Sequence, residues 1–219
     1  MNYLVVSPHP DDETLGAGGT LIRHKINGGK IFWLNITNMK EEYGYSKEIV
    51  EKRKQQIHKV KLAYKMDGYY DLGLCPAHLD KYDSGEIIDK ISKVFDEVKP
   101  EVILLPNRYD VHSDHKKAFD WCYSCTKVFR YPFIKKILTM EILSETDFGI
   151  VDEAFVPNYF VDITGTFEQK KDILKIYDGE LGIHPFPRSL EGLEAIAKVR
   201  GISAGTRYAE AFHIMKMID

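Results

Sequence analysis

The feature that most constrains this chain is the alternation, through its first half, of short apolar runs with amphipathic helical stretches. Residues 3–6 form an apolar run, read as a buried strand, which ends in Ser-Pro-His-Pro-Asp-Asp-Glu. Residues 14–26 then read as a helix closed by Gly28-Gly29, 30–37 as a second strand, and 47–65 as a long amphipathic helix. A short third strand is expected at 69–72. A helix follows over 87–98, stopped by Lys99-Pro100, and a strand over 102–105, bounded by Pro106.

Strands alternating with helices require right-handed crossovers and a mostly parallel sheet covered on both faces. The expected class is therefore α/β, a Rossmann-like three-layer sandwich. After a helix at 114–129 the pattern changes. Residues 135–143 and 158–164 read as strands, 167–177 and 189–199 as helices, and 209–217 as a strand or a short helix. The 219 residues show no repeat, low-complexity tract or linker, so a single domain over 1–219 is expected.

The composition narrows the function classes. With 44% hydrophobic and 29% charged residues the chain can bury a real core. A net charge of -3 recommends neither nucleic acid nor a membrane surface as partner. Cys75, Cys122 and Cys125 are too few, and odd in number, for a disulfide framework, which suits a reducing compartment. Residues 1–10 lack the charged region of a signal peptide, and no run approaches the roughly 20 apolar residues of a membrane span. A cytoplasmic location is expected.

Open parallel sheets bind ligands beyond the carboxyl ends of their strands. Two loops there concentrate chemistry: Pro8-His9-Pro10-Asp11-Asp12-Glu13 after the first strand, and Asp110-Val111-His112-Ser113-Asp114-His115 after the strand at 102–105. Catalytic zinc takes three nitrogen or oxygen ligands and keeps a fourth position open. His9, Asp12 and His115 can supply them. Zinc lowers the pKa of a water to about 7, and Asp11, adjacent to a ligand, suits a general base. His112 is placed to donate a proton or stabilise an oxyanion, and Asp114 or Asp110 to orient an imidazole. Either loop alone reads as an ordinary turn and helix cap; two of them at strand ends point to a metal site.

These two motifs, in this order and strand context, resemble the LmbE-like, or PIG-L, de-N-acetylases. Arg53 in the second helix resembles the family's substrate-contacting arginine, and Tyr208-Ala209-Glu210-Ala211-Phe212 its C-terminal signature. The resemblance implies one zinc per chain on His9, Asp12 and His115. It implies Asp11 as base, His112 facing the tetrahedral intermediate, and Asp114 as the partner of His112. The implied reaction removes the N-acetyl group from an amino sugar or its conjugate, and self-association into a homo-oligomer is also implied. Two positions depart from the family pattern: Gln56 stands where an acidic residue is common, and Asn38-Met39-Lys40 replaces a glycine-containing loop. Neither touches the zinc ligands; both bear on sugar contacts.

Other patterns carry less. Gly16-Ala17-Gly18-Gly19 follows the acidic turn and lacks the final glycine of a dinucleotide fingerprint, so close helix–strand packing is expected. Cys122 and Cys125 are expected as two small buried residues of one helix, and Asn35-Ile36-Thr37 as part of a core strand. His184 and Arg188, in the proline-stiffened His-Pro-Phe-Pro-Arg loop, are candidates for the substrate rim. Tyr43, Tyr45, Tyr69 and Tyr70 are possible stacking surfaces for a sugar, with half-buried packing as the default. Two competing classes use the same residues: a metal-dependent hydratase and a non-catalytic sugar or metal binder.

Overall fold

In β1 (Asn2–Ser7), Leu4, Val5 and Val6 are all fully buried, as a strand covered on both faces requires. The computed structural model describes all residues, Met1–Asp219. β1 pairs in parallel with β2 (Lys30–Thr37) on one side and β4 (Val102–Leu105) on the other. β3 (Gly68–Leu74) extends the sheet beyond β2, and β5 (Lys136–Met140) beyond β4, again in parallel. Two antiparallel strands finish it, β7 (Ala209–Met217) on β5 and β6 (Tyr159–Asp162) on β7. The seven-stranded order is β3-β2-β1-β4-β5-β7-β6.

Six α-helices cover the sheet: α1 (Asp12–Ile26), α2 (Lys47–Tyr64), α3 (Ser84–Val98), α4 (Ser113–Ser124), α5 (Phe167–Leu174) and α6 (Leu190–Ala204). Side chains alternate across a strand, so the strands feed two cores. Val5, Trp33 and Leu104 pack with α1, α2, α5 and α6, whereas Leu4, Leu34, Ile103 and Leu105 pack with α3 and α4. The result is the expected three-layer α/β sandwich. No helix is long and apolar enough to cross a membrane.

Most element boundaries follow local chemistry. α3 starts at Ser84, ahead of the expected Ile87, because the Asp83 carboxylate accepts the Glu86 N–H as an N-cap. α6 runs to Ala204 and stops at Gly205, whose φ of 68° is the left-handed helix terminator that glycine tolerates best. α4 stops at Ser124, short of the expected 129. There Cys125 and Thr126 close tight three-residue turns onto Cys122 and Tyr123, and the Thr126 hydroxyl donates to the Tyr123 carbonyl. Cys122 and Cys125 are free and buried. Residues 209–217 resolve as a strand, pairing with both β5 and β6.

The glycine run in α1 is packing, as expected. A Cβ on Gly19 would lie 2.7 Å from Ile163, and one on Gly16 2.9 Å from Met140. The Tyr208–Phe212 segment serves the same helix. The Glu210 carboxylate accepts the N–H groups of Gly19 and Thr20, while Lys170 donates to the Leu15 carbonyl and to Glu210 at 2.7 Å. A buried ion pair is thereby stitched into the middle of α1, and the helix that begins at Asp12 is held at its waist.

Candidate metal centre and cleft

After β3 the chain crosses back over β1 to enter β4, so neighbouring strands leave in opposite topological directions. Such a switch point opens a crevice between the two loops that follow β1 and β4. Both acidic, histidine-bearing motifs lie in those loops.

The first loop is held by Glu13. Asp11 has a φ of 149°, a conformation that residues with a Cβ rarely adopt. Glu13 Oε2 accepts the Asp11 N–H at 3.1 Å and the Ser7 hydroxyl at 3.2 Å. Its other oxygen accepts the hydroxyls of Thr14 at 2.7 Å and Tyr177 at 3.0 Å. Burial pushes the Glu13 carboxyl up to about 7 against the lowering effect of these bonds. The turn closes with the His9 N–H donating to Asp12 Oδ2 at 2.8 Å.

The second loop brings His115 in on the first turn of α4, fully buried. Its Nδ1 donates to Asp110 at 2.8 Å, which turns Nε2 toward Asp12 Oδ2 at 3.3 Å. That nitrogen lacks hydrogen-bond geometry to any partner. His9 is arranged in the same way: Nε2 donates to Asp114 at 3.1 Å, and Nδ1 stands 3.5 Å from Asp12 Oδ2. Each imidazole is thus backed by a carboxylate and aims its other nitrogen at one oxygen of Asp12. Carboxylate-backed imidazoles of this kind are the usual outer shell of a metal site. The three candidate ligand atoms lie within 4.8 Å of one another. An unpartnered buried nitrogen beside a carboxylate and a second imidazole fits a tetrahedral cation with a fourth position free.

The electrostatics agree with that fit. Burial lowers the His9 imidazole, but hydrogen bonds to Asp114 and Asp12 outweigh it and raise it to about 9. Burial acts likewise on His115, and the Asp12 charge with the Asp110 hydrogen bond lifts it well above its ordinary value. Asp12 is pulled the other way: burial raises it, and the two imidazoles overcome that and hold it far below the carboxylate range. Protons on these two imidazoles, His115 buried and His9 half-buried, supply positive charge that a metal ion would otherwise bring.

Above the cluster opens a cavity of about 230 Å³. Asp11, His112, Arg53 and Arg188 all line it, with His9 and Asp12 at its base. The Asp11 carboxyl is raised well above its usual range by burial and by the charges of Asp12, Glu180 and Glu13. His112 is the N-cap of α4, its Nδ1 accepting the Asp114 N–H at 3.0 Å. Burial and the charge on His9 push the His112 imidazole down to about 4, so it is neutral at pH 7 and carries its proton on Nε2.

Several expectations shift. The Asp114 carboxylate serves His9 and the Ala77 N–H, and stands 3.9 Å from His112 Nδ1, so its tie to His112 runs through the backbone. Arg53 lines the cavity but is itself buried; it donates to the Pro10 carbonyl at 2.9 Å and pairs with Glu180. His184 is exposed and does not line the cavity. The Gly182 N–H bonds the Arg188 carbonyl, which pinches the loop shut below its tip and leaves His184 outside. Gln56 binds the Ile176 carbonyl and Asp178, tying α2 to the segment that carries Glu180. Of the tyrosines, Tyr45 reaches the cavity, as do Asn38 and Met39 from the loop after β2.

Glu145 and Glu180 also line the cavity and were not singled out from the chain. Glu145 Oε2 is buried without a partner, and burial raises its carboxyl. Each lies in an irregular segment with one Asp two residues away, Asp147 for Glu145 and Asp178 for Glu180, and neither segment gathers the dense His and Asp cluster that marks the two loops.

Comparison with known proteins follows the same geometry. Diacetylchitobiose deacetylase of Thermococcus kodakarensis is 24% identical, over 97% of this chain and 82% of its own. Among solved structures, a conserved protein of Thermus thermophilus superposes with a TM-score of 0.80 at 25% identity, covering 99% of this chain and 96% of its own. N,N'-diacetylchitobiose deacetylase of Pyrococcus horikoshii gives 0.75 at 21%, covering 98% and 84%. The fold is also that of 4-carboxy-2-hydroxymuconate hydratase from Pseudomonas putida, with a TM-score of 0.78 at 15% identity over 100% of this chain and 97% of its own. The family described as PIG-L, GlcNAc-PI de-N-acetylase, matches residues 4–125, a span running from β1 to the end of α4 that takes in both histidine-bearing loops. With more than half of its length matched, this chain belongs to the PIG-L family.

Proposed function

We propose that the chain, acting as one domain over residues 1–219, is a zinc-dependent hydrolase that removes the N-acetyl group from an amino sugar or sugar conjugate. The observation that carries this reading is the convergence of His9, Asp12 and His115 at the base of a cleft that also presents Asp11 and His112. His9, Asp12 and His115 would hold one zinc. A zinc ion there would supply a Lewis acid that polarises an acetamide carbonyl and makes water acidic near neutral pH.

The chain's own residues account for the rest. Asp11, with its carboxyl raised by burial and neighbouring charge, is a stronger base than an exposed carboxylate. It takes the proton of the attacking water and returns it to the departing amine. His112 stabilises the developing oxyanion as a neutral Nε2–H donor, because the Asp114 N–H occupies its other nitrogen. Glu13, by accepting the Asp11 N–H, holds the strained turn that turns Asp11 into the cleft.

The hydratase likeness shows that this fold also hosts addition of water to a double bond, so the test must read the bond that breaks. Purified zinc-loaded protein incubated with N-acetylglucosamine and N,N'-diacetylchitobiose should release acetate and leave a free amine. His9→Ala and His115→Ala should lose both the zinc and the acetate. Full zinc content in either variant, or no acetate from any N-acetyl sugar, would sink the proposal.

A further inference from the structure

Two guanidiniums reach the cleft, and one carboxylate holds both. Arg53 Nη2 pairs with Glu180 Oε1, and Arg188 Nη2 stands 3.6 Å from Glu180 Oε2. The other contacts of these arginines also end on protein. Arg53 Nη1 donates to the Pro10 carbonyl at 2.9 Å; Arg188 Nε donates to the Glu180 carbonyl at 3.1 Å and Nη1 to the Ser144 hydroxyl at 3.1 Å. Glu145 adds a second carboxylate 3.9 Å from Arg188. Arg53 is only 6% exposed, so water does little to screen its pair.

An arginine that recognises a phosphate offers its fork of donors to the ligand, two bonds at a time. Here two N–H groups of each guanidinium already bond to protein, and Glu180 stands beside both as their shared counter-charge. An anionic substituent would have to displace Glu180 or approach it as a like charge, in a cleft that also presents Asp11 and Glu145. A hydroxyl avoids the conflict, since it can accept from a guanidinium N–H and donate to Glu180 without breaking the pair. Arg53 is positioned by this contact as much as it is neutralised.

We infer that Glu180 sets the charge selectivity of the cleft: by clamping Arg53 and Arg188 it admits uncharged N-acetyl sugars and rejects sugar phosphates. The inference rests on the deacetylase reading for its substrate, but it concerns charge, which binding reports without turnover.

The test uses the zinc-loaded full chain, titrated calorimetrically with N-acetylglucosamine, its 1-phosphate and its 6-phosphate, with acetate release followed in parallel. The wild type should bind the neutral sugar at least about tenfold more tightly than either phosphate. Glu180→Gln keeps the shape of the side chain but frees two positive charges. It should shift the preference toward the phosphates by about tenfold or more, and added salt should erode that gain. Arg188→Gln on the Glu180→Gln background should remove most of it. A wild type that binds phosphates as tightly as the neutral sugar, or binds no neutral sugar, overturns the inference, as does a Glu180→Gln preference that does not move. Should Glu180→Gln fail to fold, the wild-type ratio decides. Loss of acetate release with the charge preference intact would overturn the deacetylase reading alone; equal release from both sugar classes would overturn the charge inference alone.

Discussion

At the floor of the cleft, His9 and Asp12 lie three residues apart in the turn after β1, and His115 sits on the first turn of α4, just beyond β4. The rim is assembled differently: Arg53 from α2, Glu145 from the loop after β5, and Glu180 and Arg188 from the long connection between α5 and α6. The floor is backed by buried strands and by carboxylates on both imidazoles. The rim is held by side-chain pairs between segments more than a hundred residues apart, such as Arg53 with Glu180. The difference assigns the two regions different work. The floor is fixed by contacts within and behind its two loops, while the rim meets it at defined points: the Glu180 charge helps raise the Asp11 carboxyl, and Arg53 donates to the Pro10 carbonyl.

The largest effect that would sharpen this contrast is at Asp11. Asp11→Asn should reduce kcat by about 10²–10⁴-fold, as expected for loss of a general base. Zinc content by elemental analysis should be unchanged. A loss of zinc in that variant would blur floor chemistry into metal binding. Next, His112→Ala should lower kcat by about 10²–10³-fold with a smaller change in KM. It should also lower stability by about 1 kcal/mol, since it removes the N-cap of α4. Steady-state kinetics beside a thermal melt separate the two. If KM rises and kcat holds, His112 belongs functionally to the rim.

A smaller effect tests the backing of the floor. Asp110→Asn removes the charge behind His115 and should weaken zinc binding by about 10–100-fold, measured by chelator competition. The pH dependence of the same measurement has a definite sign. In the metal-free cluster the His9 imidazole keeps its proton up to about 9. Zinc must displace that proton, so affinity should climb as pH rises toward about 9 and fall below it, with protons released on binding. Calorimetry in buffers of different ionisation enthalpy counts them; zero release at pH 7 would contradict the geometry at His9. The smallest effect is expected at His184→Ala, which should leave kcat/KM unchanged because His184 is exposed and does not line the cavity. A measurable loss there would extend the rim to the loop tip.

The legible part of the fold was its layered core. Continuous apolar runs as short as Val102–Leu105, bounded by Pro100 and Pro106, are too short for a helix and read as strands buried on both faces, and their alternation with amphipathic helices favours the parallel arrangement. The poorly legible parts are where local signals compete with long-range contacts. Residues 125–129 carry no helix breaker, yet α4 ends before them in tight turns. Residues 209–217 have no decisive period, and become a strand because β5 and β6 flank them. At the site, the two loops stand out because each gathers its imidazoles and carboxylates within six residues.

What the amino-acid order determined by itself is the mostly parallel sheet, the two loops at its strand ends and the three side chains suited to one cation. These depend on periodicity and on neighbours a few residues apart, which act before any distant contact forms. What only the tertiary structure decided is which carboxylate backs which imidazole, that His112 Nδ1 accepts the Asp114 N–H, that His184 lies outside the cavity lining, and that Glu180 stands beside two arginines. Those outcomes depend on burial and on charges brought together across the chain, and in the extended chain neither exists.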